Sequence, residues 1–137
     1  MATFQLEFVS PEKLLLSRPV EMALIPAAEG EMGVLPGHAP MIVALRGGVI
    51  TVTEGGQVTE RLFVAGGFAE VTPTRVTILA DEATPLGQLS RAEAEQRIAE
   101  CEKAFAAAAA EGTPEAREAA MAKLLAARAM LEAAGAA

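Results

Sequence analysis

Between Thr3 and about Ala83, apolar and polar residues take turns along the chain. Phe4, Leu6 and Phe8 alternate with Gln5 and Glu7, Ile50 and Val52 with Thr51 and Thr53, and Val76, Ile78 and Ala80 with Thr77 and Leu79. Val20, Met22 and Leu24 alternate in the same way with Glu21 and Ala23. A period of two puts successive side chains on opposite faces, so each run predicts a strand with one buried face. Glycine and proline punctuate the segment at short intervals: Pro11, Pro26, Gly37, Gly47-Gly48, Gly55-Gly56, Gly66-Gly67 and Pro73. Glu54-Gly55-Gly56-Gln57 lies between two β-rich runs and predicts a hairpin turn. Glycine pairs within a β segment mark bulges or a close approach of two backbones. Many short strands with regular turns predict an all-β sandwich or barrel.

From Ser90 the pattern changes. Strand formers give way to Ala and Glu with Arg and Lys, a helix composition. Ser90-Arg91-Ala92-Glu93 has the order of a capping box and predicts the start of a helix running to about Ala110. Ile98, Cys101 and Phe105 form its apolar stripe. Glu111-Gly112-Thr113-Pro114 predicts a stop and a restart: Gly ends one helix, Thr caps the next and Pro takes its first position. The second helix carries Met121, Leu124, Leu125 and Leu131 as its stripe. A short turn between two helices makes an antiparallel hairpin. Both stripes are thin and mostly alanine, so the hairpin is expected to bury little, to dock weakly and to be able to detach. Thr84-Pro85-Leu86-Gly87-Gln88 contains Pro and Gly and reads as a linker. The chain thus divides into a β domain at 1–84, a linker at 85–89 and a two-helix hairpin at 90–137.

Composition narrows the function. A chain of 137 residues builds one core without cross-links. Although 52% of residues are hydrophobic, no apolar run reaches the ~18 residues of a membrane-spanning helix, and no secretory signal opens the chain. A single Cys allows no intrachain disulfide, and a single His allows no multi-His metal site. A net charge of −7 argues against nucleic-acid binding, because phosphates attract basic surfaces. Trp and Tyr are absent, which removes base-stacking and sugar-binding shelves. Five basic residues face ten acids before Ser90 and six face eight from there on, so the charge divides into −5 and −2.

Catalytic constellations are missing. His38 lies in Leu35-Pro36-Gly37-His38-Ala39-Pro40 with no Ser or Cys nucleophile motif nearby, and fits a hydrogen-bonded structural or interface residue better than a base. Cys101 on an apolar stripe reads as a packed thiol. Asp81-Glu82 are adjacent acids near a strand end, and neighbours on a strand point to opposite faces, so they read as a solvated turn. No phosphate loop or dinucleotide fingerprint occurs. The unusual stretch is Glu29 to Met41, a long loop with three glycines and two prolines that also holds Met32, Val34, Leu35 and Met41. A stiffened loop rich in apolar side chains is shaped for a contact.

That stretch, Glu29-Gly30-Glu31-Met32-Gly33-Val34-Leu35-Pro36-Gly37-His38-Ala39-Pro40, resembles the EGE-x-G-x-x-PGHAP segment of the epsilon subunits of F-type ATP synthases. Phe8-Val9-Ser10-Pro11-Glu12 is similar to the family's "VVSPE", Val64-Ala65-Gly66-Gly67-Phe68-Ala69-Glu70-Val71 to its "GGxxEV", and Val76-Thr77-Ile78-Leu79-Ala80-Asp81 to its "VTVLAD". The resemblance covers essentially the whole chain. It implies a flattened β-sandwich of about ten strands at 1–84, followed by the helical hairpin.

The implied role is that of a non-catalytic rotor part. The family's epsilon subunit sits in the central stalk, binds gamma and couples it to the c-ring. Its tail can extend toward the catalytic alpha/beta head and inhibit hydrolysis. By resemblance, Glu29, Gly30 and Glu31 face the c-ring, and His38, Ala39, Pro40 and Met41 lie at the gamma or c-ring contact. Arg117, Lys123 and Arg128 are the tail's basic residues for a regulatory contact. Some relatives bind ATP at an I/L-D-x-x-R-A motif. Here Leu89 and Ala94 match, but Ser90 replaces the Asp and Glu93 the Arg, which argues against Mg-ATP as a cofactor. A two-residue shift brings Arg91-Ala92 into register and keeps Leu89, Arg91 and Ala92 as the nucleotide candidates. The alternative function is therefore an ATP-sensing regulatory module. No nucleic acid and no membrane insertion are expected. The implied location is peripheral, on the cytoplasmic face of a bacterial inner membrane, since no transit segment is visible.

Overall fold

The alternating runs pair into one continuous sheet. The computed structural model of the chain describes residues 2–11, 14–80 and 83–136. Asp81 and Glu82 lie outside the described residues. The elements are β1 (Phe4–Val9), β2 (Leu14–Val20), β3 (Met22–Ala27), β4 (Gly30–Val34), β5 (Met41–Leu45), β6 (Gly48–Glu54), β7 (Gln57–Val64), β8 (Gly67–Val71), β9 (Arg75–Ala80), β10 (Ala83–Pro85), a 3-10 turn (Leu86–Gln88), α1 (Arg91–Glu111) and α2 (Pro114–Ala136). The strands follow the order β10-β7-β6-β3-β5-β8-β9-β1-β2, with β4 added to β3 outside this path. β1 is parallel to β9, and the other pairings are antiparallel.

The sheet folds over at one corner. β3 and β5 share the single register pair Ala27↔Leu45. Two bonds flank it, Ala28 N–H to the Ala44 carbonyl and Arg46 N–H to the Pro26 carbonyl, both 2.9 Å. β10, β7, β6, β3 and β4 lie on one side of the corner, and β5, β8, β9, β1 and β2 on the other. Phe4, Leu6, Phe8, Val76 and Ile78 from one half meet Ile25, Ile50, Val52, Leu62 and Val64 from the other in one buried cluster. Each such large apolar side chain, fully withdrawn from water, contributes about 1.5–3 kcal/mol. The sheet ends at β10 and β2 without closing, which makes it a flattened sandwich and not a barrel.

The structure changes two strand expectations. The run Val20, Met22, Leu24 is broken at Glu21. Val20 ends β2 inside the core, but in β3 it is Ala23, Ile25 and Ala27 that are buried, while Met22 and Leu24 are half-buried. The chain bends at Glu21, whose carboxylate accepts hydrogen bonds from the Gly55 and Gly56 N–H groups at 3.1 and 3.0 Å. A one-residue change of phase exchanges the two faces. Both phases are apolar here, so alternation alone does not reveal the change. The stretch Glu29–Met41 is also not one long loop. Gly30–Val34 forms β4, paired with β3 from Ala27↔Gly30 to Ala23↔Val34. Its glycines are compatible with a strand because, among the described residues, β4 pairs only with β3. The loop proper is residues 35–40.

The tail packs on the outside of β6 and β7. Leu62, Phe63 and Val64 are consecutive and all buried, which requires cover on both faces of β7. Leu62 and Val64 enter the sandwich core. Phe63 joins Ala94, Met130 and Ala133, rimmed by Val49, Leu86, Leu89 and Leu131. The junction is ordered, with Ala83–Pro85 paired to β7 and one 3-10 turn following. Both predicted caps form: Ser90 Oγ accepts from Glu93 N–H at 3.2 Å, and Thr113 Oγ1 from Ala116 N–H at 3.1 Å. The buried stripe of α2 differs from the expected one. It is Leu124, Ala127, Met130 and Ala133, with Met121 and Leu131 half-buried and Leu125 exposed. Leu125 sits ~100° around the helix from Leu124, so large size misled where small alanines on the true face do the packing.

Candidate protein-docking site

The β3–β4 turn and β5 diverge beyond the corner and leave a cleft of about 460 Å³. Glu29, Gly30 and Glu31 line one wall with Met32, and Met41, Ile42, Val43 and Ala44 line the other. Gly30 closes the turn with φ +140°, a conformation that favours glycine. Glu29 and Glu31 are exposed, and neither has an ion-pair partner among the described residues. His38, Ala39 and Pro40 follow β4 in the loop. That loop is tied to the β8–β9 turn by Gly37 N–H bonding to the Pro73 carbonyl at 2.8 Å. His38 Nδ1 donates to the Ala39 carbonyl at 2.9 Å, which orients the ring. The turn, the loop and the start of β5 thus gather at one end of the sandwich, because Met41 pairs with Val71 beside that same β8–β9 turn.

A second feature has no counterpart among the sequence candidates. Across the outer face of the second half-sheet, Ala44 pairs with Phe68, Phe68 with Leu79, Leu79 with Val9 and Val9 with Leu14. Five strands supply one apolar row about 19 Å long at the usual strand spacing. Phe68 is 56% exposed, Leu79 52% and Leu14 57%, and Ile42 beside them reaches 74%. Glu70 and Glu7 flank the row, and Arg75 pairs with Glu7 at 3.0 Å. An apolar patch framed by charge on an otherwise well-packed body marks a protein contact. Part of the signal was present in β1, β8 and β9, where Val9, Phe68 and Leu79 are apolar residues on the polar phase, but β5 has no polar phase and Leu14 reaches the row only through the bulge at Phe8/Val9.

Comparison with known proteins decides the family. Residues 3–86 match the profile of the ATP synthase Delta/Epsilon chain beta-sandwich domain. The ATP synthase epsilon chain of Granulibacter bethesdensis is 60% identical over 98% of both chains. That of Gluconacetobacter diazotrophicus is 50% identical over 98% of this chain and 95% of the relative. The chain belongs to the ATP synthase epsilon-chain family. A chain in the cryo-EM structure of the Euglena gracilis mitochondrial ATP synthase, OSCP/F1/c-ring, superposes with a TM-score of 0.77 at 26% identity, covering 97% of this chain and 82% of that one. A chain in the Tetrahymena thermophila mitochondrial ATP synthase central stalk/c-ring structure shares the fold, with a TM-score of 0.66 at 13% identity over 96% of both.

The remaining candidates of this epsilon-family chain do not gather into one site. Arg117, Lys123 and Arg128 are all exposed on α2. Arg117 and Arg128 fall within about 20° of each other on the helix, and Lys123 lies about 120° away. Arg128 lines a second groove, between α2 and the β5–β6 bend, together with Arg46, Gly47, Gly66 and Glu132. Leu89 packs in the cluster around Phe63. Arg91 is exposed and pairs with Glu95 at 3.7 Å, and Ala92 is exposed. None of Leu89, Arg91 and Ala92 lines either cleft. Among the described residues no group of three or more His, Cys, Asp or Glu could hold a metal, and no helix is long and apolar enough to cross a membrane.

Proposed function

We propose that this chain is the non-catalytic epsilon subunit in the central stalk of a bacterial, proton-translocating F-type ATP synthase. In this reading it joins gamma to the c-ring, and its helical tail regulates ATP hydrolysis. The exposed apolar row through Phe68 and Leu79 carries the proposal, because a rigid body with such a face needs a protein partner to cover it. A cross-braced sandwich suits torque transmission, since close-packed interiors pass strain on with little compression. Gamma is the partner assigned to the apolar row. The c-ring is assigned to the end carrying Glu29, Gly30, Glu31 and the His38–Met41 loop. The subunit attaches peripherally, on the cytoplasmic face of the membrane.

The tail is the regulatory element in this reading. Its 21- and 23-residue helices would span ~65 Å if laid end to end, at 1.5 Å per residue. Arg117, Lys123 and Arg128 then become the basic groups that meet the catalytic alpha/beta head. Affinity purification of the tagged full chain from solubilised membranes is expected to recover gamma and the catalytic subunits. Recovery of neither rejects the stalk assignment. Removing the residues after Gln88 is expected to raise ATP hydrolysis by the assembled complex. Unchanged hydrolysis rejects the regulatory role and leaves the coupling role in place.

A further inference from the structure

We propose that the cleft beside β5 receives an extended, basic segment of a stalk partner, which adds to the free edge of β5 as a further strand. This rests on the reading that the chain works in the stalk, and it specifies how one contact there is made. Hydrogen-bond parity defines the free edge. Thr72 N–H bonds to the Arg75 carbonyl at 2.8 Å, which directs the even-numbered residues of β8 toward β9 and the odd-numbered ones toward β5. Met41, Val43 and Leu45 therefore bond to β8. The Ala44 carbonyl accepts from the Ala28 N–H, just past β3, and the Arg46 N–H donates to the Pro26 carbonyl in β3, so even-numbered residues face the other way. Ile42 points its N–H and carbonyl out of that edge. Beyond Ala28 the chain has turned into the β3–β4 hairpin, and β3 and β5 share only one register pair. The space opposite Ile42 is the cleft lined by residues 27–32 and 41–44.

An open strand edge is normally blunted by Lys, Pro or a bulge. The edge strand β2 follows that rule, with Arg18 and Pro19 in its length. β5 reads Met-Ile-Val-Ala-Leu and carries neither charge nor proline, and its Ile42 is 74% exposed. The opposite wall supplies the charge preference. Glu29 and Glu31 flank the cleft without ion-pair partners among the described residues. A strand laid beside β5 presents alternate side chains to two environments. One set continues the apolar row next to Ile42 and Ala44. The other points toward Met32, where a Lys or Arg can rest its stem on the methionine and its charge on Glu29 at the turn, while Glu31, on the opposite face of β4 from Met32, adds its charge from the rim.

Hydrogen exchange of the full chain, alone and within purified ATP synthase, tests the proposal. The Ile42 amide is expected to exchange freely in the isolated chain and to slow about 100-fold or more on assembly. Ile42→Pro deletes the N–H that faces the cleft and spares those that bond to β8. It is expected to weaken binding to a gamma/c-ring preparation by about tenfold, as one lost hydrogen bond does, while Ile42→Val keeps the affinity. Glu29→Gln with Glu31→Gln is expected to weaken binding about threefold at low salt, with no difference at high salt. An Ile42 amide that stays unprotected in the assembled enzyme overturns the proposal, even if the proline variant fails to fold. In that case the stalk reading survives if the complex itself has formed. If the wild-type chain does not join the complex at all, both fall.

Discussion

Arg18 reaches from β2 to the β6–β7 hairpin, where it donates to Glu54 Oε2 at 3.0 Å and to Glu60 Oε1 at 3.2 Å. Thr59 Oγ1 donates to the same Glu54 carboxylate. The Thr59 hydroxyl foremost, and Arg18 with it, hold the Glu54 carboxyl below its usual value of 4.5, against the opposing effect of burial. The folded chain therefore binds this proton less readily than the unfolded chain. The stabilisation is fully present above pH 4.5 and is lost as pH falls through the lowered folded value. Glu54→Gln is expected to lower Tm by about 2 °C at neutral pH, with the difference vanishing toward about pH 2, in melts across a pH series. Gly67 makes a stronger demand. Its φ is +136°, and an added Cβ would stand 2.1 Å from the Leu79 carbonyl oxygen. Gly67→Ala is expected to cost about 3 kcal/mol in urea unfolding. The close approach was legible in the pair Gly66-Gly67, but not which glycine makes it. The nearest atom to a Cβ at Gly66 is 3.7 Å away, and that difference arises only once β8 pairs with β9.

Among the elements, those set by neighbouring residues were the legible ones. The two helix caps, the restart at Thr113-Pro114 and the turn at Gly55-Gly56 each depend on a few adjacent residues, and each forms as expected. The phase of β3, the strand β4 and the buried face of α2 were not legible, because each depends on a partner distant in sequence. α2 shows the reason most clearly. It approaches the body where there is little side chain to hold it off: a Cβ on Gly47 would lie 2.8 Å from Ala126 Cα and 3.4 Å from Ala129 Cβ. Glycine and alanine carry no apolar signal strong enough to mark a contact, although their smallness is what lets the backbones meet. Gly47→Val is therefore expected to push α2 away. Amide exchange across residues 114–136 should rise about tenfold, while exchange in β1 and β6 is unchanged, since overpacking costs about 1–3 kcal/mol. Equal acceleration in β6 would show instead that the tail and the sandwich open as one unit.

For the molecule as a whole, the proposed function has stability and assembly draw on opposite faces of the same strands. In β8 and β9 the inward residues Ala69, Val71, Val76 and Ile78 are buried, and the outward Phe68 and Leu79 leave more than half their surface to water. No short window of sequence shows the outer row, because Leu14, Val9, Leu79, Phe68 and Ala44 come from five strands and meet only through the sheet order. The division of labour makes the two properties separable by mutation. Phe68→Ser combined with Leu79→Ser removes little buried area, so the isolated chain should keep its Tm within about 3 °C. The same double variant should lose about 100-fold or more in association with the stalk, since central apolar anchors dominate protein interfaces. Retention of tagged chain on purified epsilon-depleted ATP synthase measures the association. Val58→Ser is the matched control: Val58 is 49% exposed but lies on β7, away from the row. Equal losses from Val58→Ser and the double variant would mean that exposed apolar area in general drives binding. Loss confined to the double variant identifies the row as the face on which the stalk is built.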